Sequence, residues 1–193
     1  PRLQIDEASR SAALAKFGLS LDRPVLVLCP GAEFGEAKRW PAEHYAKVAE
    51  LKIRAGWQVW LFGSKNDHPG GEDLRMRLIP GLREECTNLS GATSLAEAID
   101  LLSCAGAVVS NDSGLMHVAA ALNRPLVAVY GSTSPQFTPP LAEQVEIVRL
   151  GLECSPCFER TCRFGHYNCL RELKPRPVIE ALDRLVADPV EVE

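Results

Sequence analysis

Ala105–Tyr130 reads AGAVVSNDSGLMHVAAALNRPLVAVY, and the fold can be read outward from this stretch. The apolar run Ala107-Val108-Val109 is rich in β-branched residues and too short for a helix, so it predicts a buried strand. Asn111-Asp112-Ser113-Gly114 then supplies turn and helix-capping residues. Leu115, Val118, Ala119 and Leu122 fall at i, i+3, i+4 and i+7, one apolar helical face. Asn123 tolerates a left-handed position beyond a helix, and Pro125 cannot continue one. Leu126–Tyr130 predicts a second buried strand. Strand, polar turn, helix and strand make one βαβ unit with a right-handed crossover.

The polar turn lies where a strand ends and a helix begins. The free N–H groups of Ser113, Gly114 and Leu115 are expected to point into a crevice, with the helix dipole adding partial positive charge. Such a place binds phosphate. Gly114 lets a ligand approach the backbone, and His117 lies off the apolar stripe, one turn in. The plain alternative makes Asp112 only an N-cap, Ser113 a turn residue and His117 a surface side chain.

The same alternation extends in both directions. Ile5–Phe17 is a short amphipathic helix ending at Gly18. Val25–Cys29 is a continuous apolar run, the mark of a strand covered on both faces. A loop to Trp40, a helix opened by Pro41 and running to Gly56, and a strand over Trp57–Phe62 follow. Then come a helix over Glu72–Leu78 and a short strand over Thr87–Ser90. Ser94 and Glu97 form a capping box for a helix over Leu95–Cys104. A sixth strand over Val145–Leu150 and a helix over Pro177–Val186 close the pattern, with Asp188–Glu193 expected to fray. The alternation predicts an α/β fold, a doubly wound, parallel, six-stranded Rossmann-like sheet in one domain over residues 1–193.

Ligands in such sheets bind beyond the carboxyl ends of the strands. The loops to watch are therefore Gly31–Trp40, Gly63–Asp67, Gly91–Ser94, Asn111–Gly114 and Gly131–Pro135. Lys38 and Arg39 sit in the first, where a lysine reaches a diphosphate held at the Ser113 helix. Lys65 and Asp67 end the second, within reach of a ribose. No G-x-G-x-x-G follows the first strand and no Walker A lysine motif is present, which counts against nicotinamide and P-loop readings.

Composition narrows the class further. The chain has 193 residues, 46% of them hydrophobic, which suits one large domain. A net charge of −4 argues against a nucleic-acid surface. No run of 18 apolar residues and no signal peptide are present, and the first residue is not Met, as in a processed chain or a fragment. Seven cysteines, several in apolar segments, suit a reducing compartment. Cys154, Cys157, Cys162 and Cys169, with His166 between, open on C-x-x-C. They can be read as a structural zinc site, as a disulfide or as packed thiols.

With these loops in view the chain resembles a known family. Pro30-Gly31-Ala32-Glu33-Phe34-Gly35, Lys38-Arg39-Trp40-Pro41, Asn111–Leu122 with its D-S-G-L-x-H core, and Phe137-Thr138-Pro139-Pro140-Leu141 are similar to the ADP-heptose:lipopolysaccharide heptosyltransferases, glycosyltransferase family 9. The resemblance covers nearly the whole chain and is weakest at the first helix and the cysteine segment. It implies the carboxyl-terminal half of a GT-B enzyme, with the acceptor-binding half and its catalytic aspartate outside this chain, which alone would be inactive. It implies inverting transfer of L-glycero-D-manno-heptose from ADP-heptose to the heptosyl-Kdo2-lipid A inner core, without a cofactor or an essential metal. The setting implied is cytoplasmic, at most peripheral to the inner membrane of a Gram-negative cell. Carried over by position, Asp112, Ser113, Gly114, Leu115 and His117 surround the donor's diphosphate and sugar. Lys38 contacts the phosphates and stabilises the leaving group, Thr93 lies near the adenosine, and Ala32 and Glu33 near the donor. Lys65 stands where one branch of the family has a ribose-holding glutamate, leaving Asn66 and Asp67 as the nearest substitutes. Two other readings stay open: a non-catalytic adenine-nucleotide-binding module, and a domain like that of the UDP-sugar epimerases.

Overall fold

The computed structural model describes residues 2–187. Its strands are β1 (Val25–Cys29), β2 (Gln58–Leu61), β3 (Cys86–Asn88), β4 (Ala107–Asn111), β5 (Leu126–Val129) and β6 (Val145–Val148). They form one parallel sheet in the order β3-β2-β1-β4-β5-β6. The chain builds from β1 to one edge, returns beside β1 as β4, and builds to the other edge. The reversal opens a crevice beyond β1 and β4, which pair Leu28 with Val109 and Cys29 with Ser110.

The helices are α1 (Glu7–Phe17), α2 (Ala42–Arg54), α3 (His68–Arg77), α4 (Pro80–Arg83), α5 (Leu95–Leu102), α6 (Gly114–Ala121), α7 (Asn168–Arg171) and α8 (Pro175–Val186). The pleat divides β1 between two cores. Leu26 and Leu28 pack with Tyr45 and Val48 of α2 and Leu182 of α8. Val25, Val27 and Cys29 pack on the other face with Ala13 of α1, Leu101 of α5 and Met116 of α6. Covered on both sides, β1 has no exposed residue, which is why its sequence does not alternate. Each Leu or Val buried there contributes about 2 kcal/mol of transfer free energy.

The expected capping box forms: Glu97 N–H donates to Ser94 Oγ at 3.2 Å and Ser94 N–H to Glu97 Oε2 at 2.8 Å. Lys16 Nζ reaches Glu97 Oε1 at 2.6 Å and ties α1 to α5. The Lys16 bond, then the cap, hold the Glu97 carboxyl down at about 2. A depressed carboxyl stabilises the fold above its unfolded value and loses that contribution as pH falls through the folded one. Stability measured by urea unfolding is therefore expected to decline from about pH 4.5 toward 2, and Glu97→Gln is expected to flatten that decline. An unchanged acid limb in the variant would refute the assignment.

Several expected boundaries move. The third helix starts at His68 rather than Glu72, since Pro69 is tolerated in a first turn. The last helix likewise starts at Pro175, two residues before Pro177. The third strand is Cys86–Asn88, not Thr87–Ser90, and the short α4 and α7 were not expected. The N-cap of α6 is Ser113, not Asp112, whose carboxylate is turned to other partners. The buried face of α6 runs through Met116, Ala119 and Ala120, while Leu115 and Val118 are only half-buried. That rotation leaves Leu115 and Val118 at the edge of the second core, where they also line the crevice. Asn123 does take the left-handed position, with φ of 51°. Residues 188–193, expected to fray, lie outside the described residues.

Candidate functional site

The crevice is a cavity of about 680 Å3, within the range of small-molecule sites. Asp112, Ser113, Gly114, Leu115 and His117 line one side of it. Ala32, Glu33 and Lys38 arrive from the loop after β1, and Thr93 from the loop before α5. These nine expected residues are thus brought together from three separate segments. Phe62, Leu95, Ala98, Leu115 and Val118 give the cavity an apolar lining suited to a flat ring.

The charged centre is more tightly built than sequence suggests. Lys38 Nζ lies 2.7 Å from Asp112 Oδ2, with side-chain exposures of 12% and 4%. Thr133 Oγ1 donates to the same oxygen at 2.6 Å. Lys38 also sits over the Phe34 ring, 4.8 Å from its centroid. The ammonium is thereby held beside the start of α6. Ser113 makes no side-chain capping bond, so no side-chain cap occupies the first-turn N–H groups. A Cβ on Gly114 would meet nothing within 4 Å, so this helix end is open. A cation and a helix end in one cavity make an anion site.

Two brackets hold the loop that carries Lys38. The first is Asn111, fully buried at the end of β4. Its Oδ1 accepts from Trp40 N–H at 3.2 Å and Tyr45 OH at 3.0 Å, and its Nδ2 donates to Pro30 O at 2.7 Å. By sequence Asn111 reads as a turn residue; the signal of its bracing role is a polar residue ending an otherwise buried strand. The second is Asp67, which accepts from Arg39 at 3.1 Å and from Ser64 N–H at 2.9 Å. Arg39 also donates to Ala32 O, so Arg39 braces the loop and is not among the cavity-lining residues.

Lys65 does not join the site. It is exposed at the head of a 3₁₀ turn, Lys65–Asp67, and neither it nor the exposed Asn66 lines the cavity. The turn points Asp67 inward instead, with both carboxylate oxygens already hydrogen-bonded. Cys29 lines the cavity, but burial pushes its thiol up to about 12, so it stays neutral.

The cysteine segment lies next to this loop rather than in the cavity. Gly35, at φ of 150°, sits where a Cβ would fall 2.4 Å from Arg160 O, and Ala37 N–H donates to that oxygen at 3.1 Å. Cys154, Cys157, Cys162 and Cys169 are free thiols. Burial first, then the neighbouring Cys157, Cys154 and Cys162, push Cys169 up to about 11. Among the described residues no group of three or more His, Cys, Asp or Glu is arranged to hold a metal ion.

Residues 1–168 match the model of glycosyltransferase family 9 (heptosyltransferase). The chain belongs to this family. Among family members, lipooligosaccharide heptosyltransferase 2 of Haemophilus influenzae is 48% identical over 192 residues, covering 97% of this chain and 56% of the relative. Lipopolysaccharide heptosyltransferase 2 of Escherichia coli is 45% identical over 186 residues, covering 96% and 53%. The solved structure of E. coli ADP-heptose lipopolysaccharide heptosyltransferase II superposes with a TM-score of 0.86 at 45% identity, covering 96% of this chain and 53% of that one. The sheet accordingly shares the Rossmann-like fold of the matched part of that heptosyltransferase structure. The chain spans about half the length of the curated relatives it matches.

Proposed function

We propose that this chain is the donor-binding domain of an inverting heptosyltransferase that uses ADP-heptose. The observation that carries the reading is the Lys38–Asp112 pair set at the open start of α6, inside a cavity with an apolar flank. The diphosphate meets Lys38 and the first-turn N–H groups. The adenine takes the apolar side near Thr93 and Leu95, and the heptose lies toward Glu33 and His117. An acceptor hydroxyl attacks the anomeric carbon as the bond from that carbon to the phosphate oxygen breaks. The hydroxyl proton goes to a carboxylate base, an aspartate of the acceptor-binding half. Negative charge builds on ADP, where Lys38 and the α6 dipole stabilise it. The acceptor is the heptosyl-Kdo2-lipid A core, met at the cytoplasmic face of the inner membrane by the other half of the enzyme. No helix among the described residues is long and apolar enough to cross a membrane.

Calorimetric titration with ADP-heptose, ADP and UDP tests the reading. ADP-heptose is expected to bind more tightly than ADP, and UDP weakly. Gly114→Ala is expected to leave the thermal midpoint unchanged, since its Cβ has free space, while weakening ADP about 10-fold by crowding the phosphate. UDP binding as tight as ADP would refute the adenine assignment. Full ADP affinity in Gly114→Ala would move the phosphate away from α6.

A further inference from the structure

Among the described residues, the cysteine segment after β6 is a chemical cluster that donor binding leaves unused. Cys154, Cys157, Cys162 and Cys169 all line one cavity of about 10 Å3, close to the room of a single water. His166 lines it as well, with Nδ1 3.9 Å from Cys162 Sγ. Two tight turns accompany these thiols. Phe158, directly after Cys157, has φ of 57°, and Gly165, in the loop after Cys162, has φ of 71°. The second turn closes with Gly165 N–H donating to Cys162 O at 3.0 Å.

Ser132 supplies an independent observation. It lines the same cavity, is 1% exposed, and its hydroxyl has no hydrogen-bond partner. Buried polar groups left unpaired are uncommon and call for an explanation. The Ser132 carbonyl meanwhile accepts from the N–H groups of Cys157 and Phe158, so the residue is fastened to the segment.

We propose that Cys154, Cys157, Cys162 and Cys169 bind one thiophilic divalent ion, zinc or ferrous iron, in a closed structural site. Four thiolates select these ions over magnesium or calcium, and four protein ligands leave no position for substrate. Binding releases the thiol protons to solvent. The four cysteines already line one cavity, and closing the shell requires their side chains to turn inward, since as placed they form no metal-holding group. The Ser132 hydroxyl then donates to a thiolate. Ala37 also lines this cavity, so the ion ties the segment to the loop that carries Lys38.

The test does not depend on donor binding. The chain, purified reduced and without chelator, is assayed for zinc and iron by plasma mass spectrometry and then treated with a mercurial. About one metal per chain is expected, released by the mercurial and absent from Cys154→Ser/Cys157→Ser. Because that variant can misfold, the unaltered chain is also reconstituted with cobalt, which should give the sulfur-to-cobalt charge-transfer band and tetrahedral visible bands. Tryptic cleavage at the exposed Arg160 and Arg163 should become several-fold faster on metal removal. A folded, reduced chain with no metal and no cobalt spectrum overturns the proposal. So does metal that remains in a folded double variant.

Discussion

Lys38→Ala is expected to weaken ADP binding about 100-fold and to destabilise the fold by about 3 kcal/mol. The two losses have different origins, and a second substitution separates them. Removing the ammonium leaves the Asp112 carboxylate 4% exposed, with Thr133 as its remaining side-chain donor at 2.6 Å. A buried charge without its counter-ion is far costlier than the absence of the whole pair. Adding Asp112→Asn to Lys38→Ala should therefore return most of the stability, to within about 1 kcal/mol of the parent. Binding should not return, because the cation that meets the diphosphate is still missing. Urea unfolding and calorimetry on the parent, both single variants and the double variant make the cycle. Normal ADP affinity in Lys38→Ala would end the case for an anion site at this pair. Failure of Asp112→Asn to rescue stability would show that Lys38 is held by something other than the ion pair.

Asn111→Leu is expected to be the most destabilising exchange of a polar residue near the site, at about 4 kcal/mol. Leucine keeps the branched heavy-atom skeleton and is the larger side chain, so no cavity opens and the hydrogen bonds are what is lost. Trp40 N–H and Pro30 O lose a partner, and Tyr45 OH keeps only a long contact to Cys29 O at 3.4 Å. Trp40 and Tyr45 are 2% and 0% exposed, so water cannot replace the amide. Each orphaned group costs about 1–3 kcal/mol. For a domain of this size the melting temperature should fall about 12 °C. The binding consequence follows from position. Asn111 joins the ends of β4 and β1, so its loss frees the loop that carries Lys38, and ADP affinity should fall with it. A variant melting within about 2 °C of the parent would show that the bracket is redundant.

What the sequence determined alone was the architecture. Continuous apolar runs separated by helical periodicity specify strands covered on both faces, and the covering helices then dictate a parallel, doubly wound sheet. The candidate phosphate site was legible for the same reason, since a helix that starts at a strand's carboxyl end exposes its N–H groups whatever packs behind it. Local capping chemistry was equally readable, as Ser94 and Glu97 illustrate. Tertiary structure decided what depends on partners far apart in the chain. Lys38 and Asp112 are 74 residues apart, and no local pattern shows that their side chains meet. Asn111 draws its partners from the segment over residues 30–45, so its role as a bracket was hidden behind its propensity for turns. The same reason governs Lys65 and Asp67. Both sit in one 3₁₀ turn, and only the direction of that turn sends the carboxylate inward and leaves the ammonium in water. Which face of α6 is buried was likewise set by the sheet beneath it, because an almost wholly apolar helix carries no strong internal preference for one side.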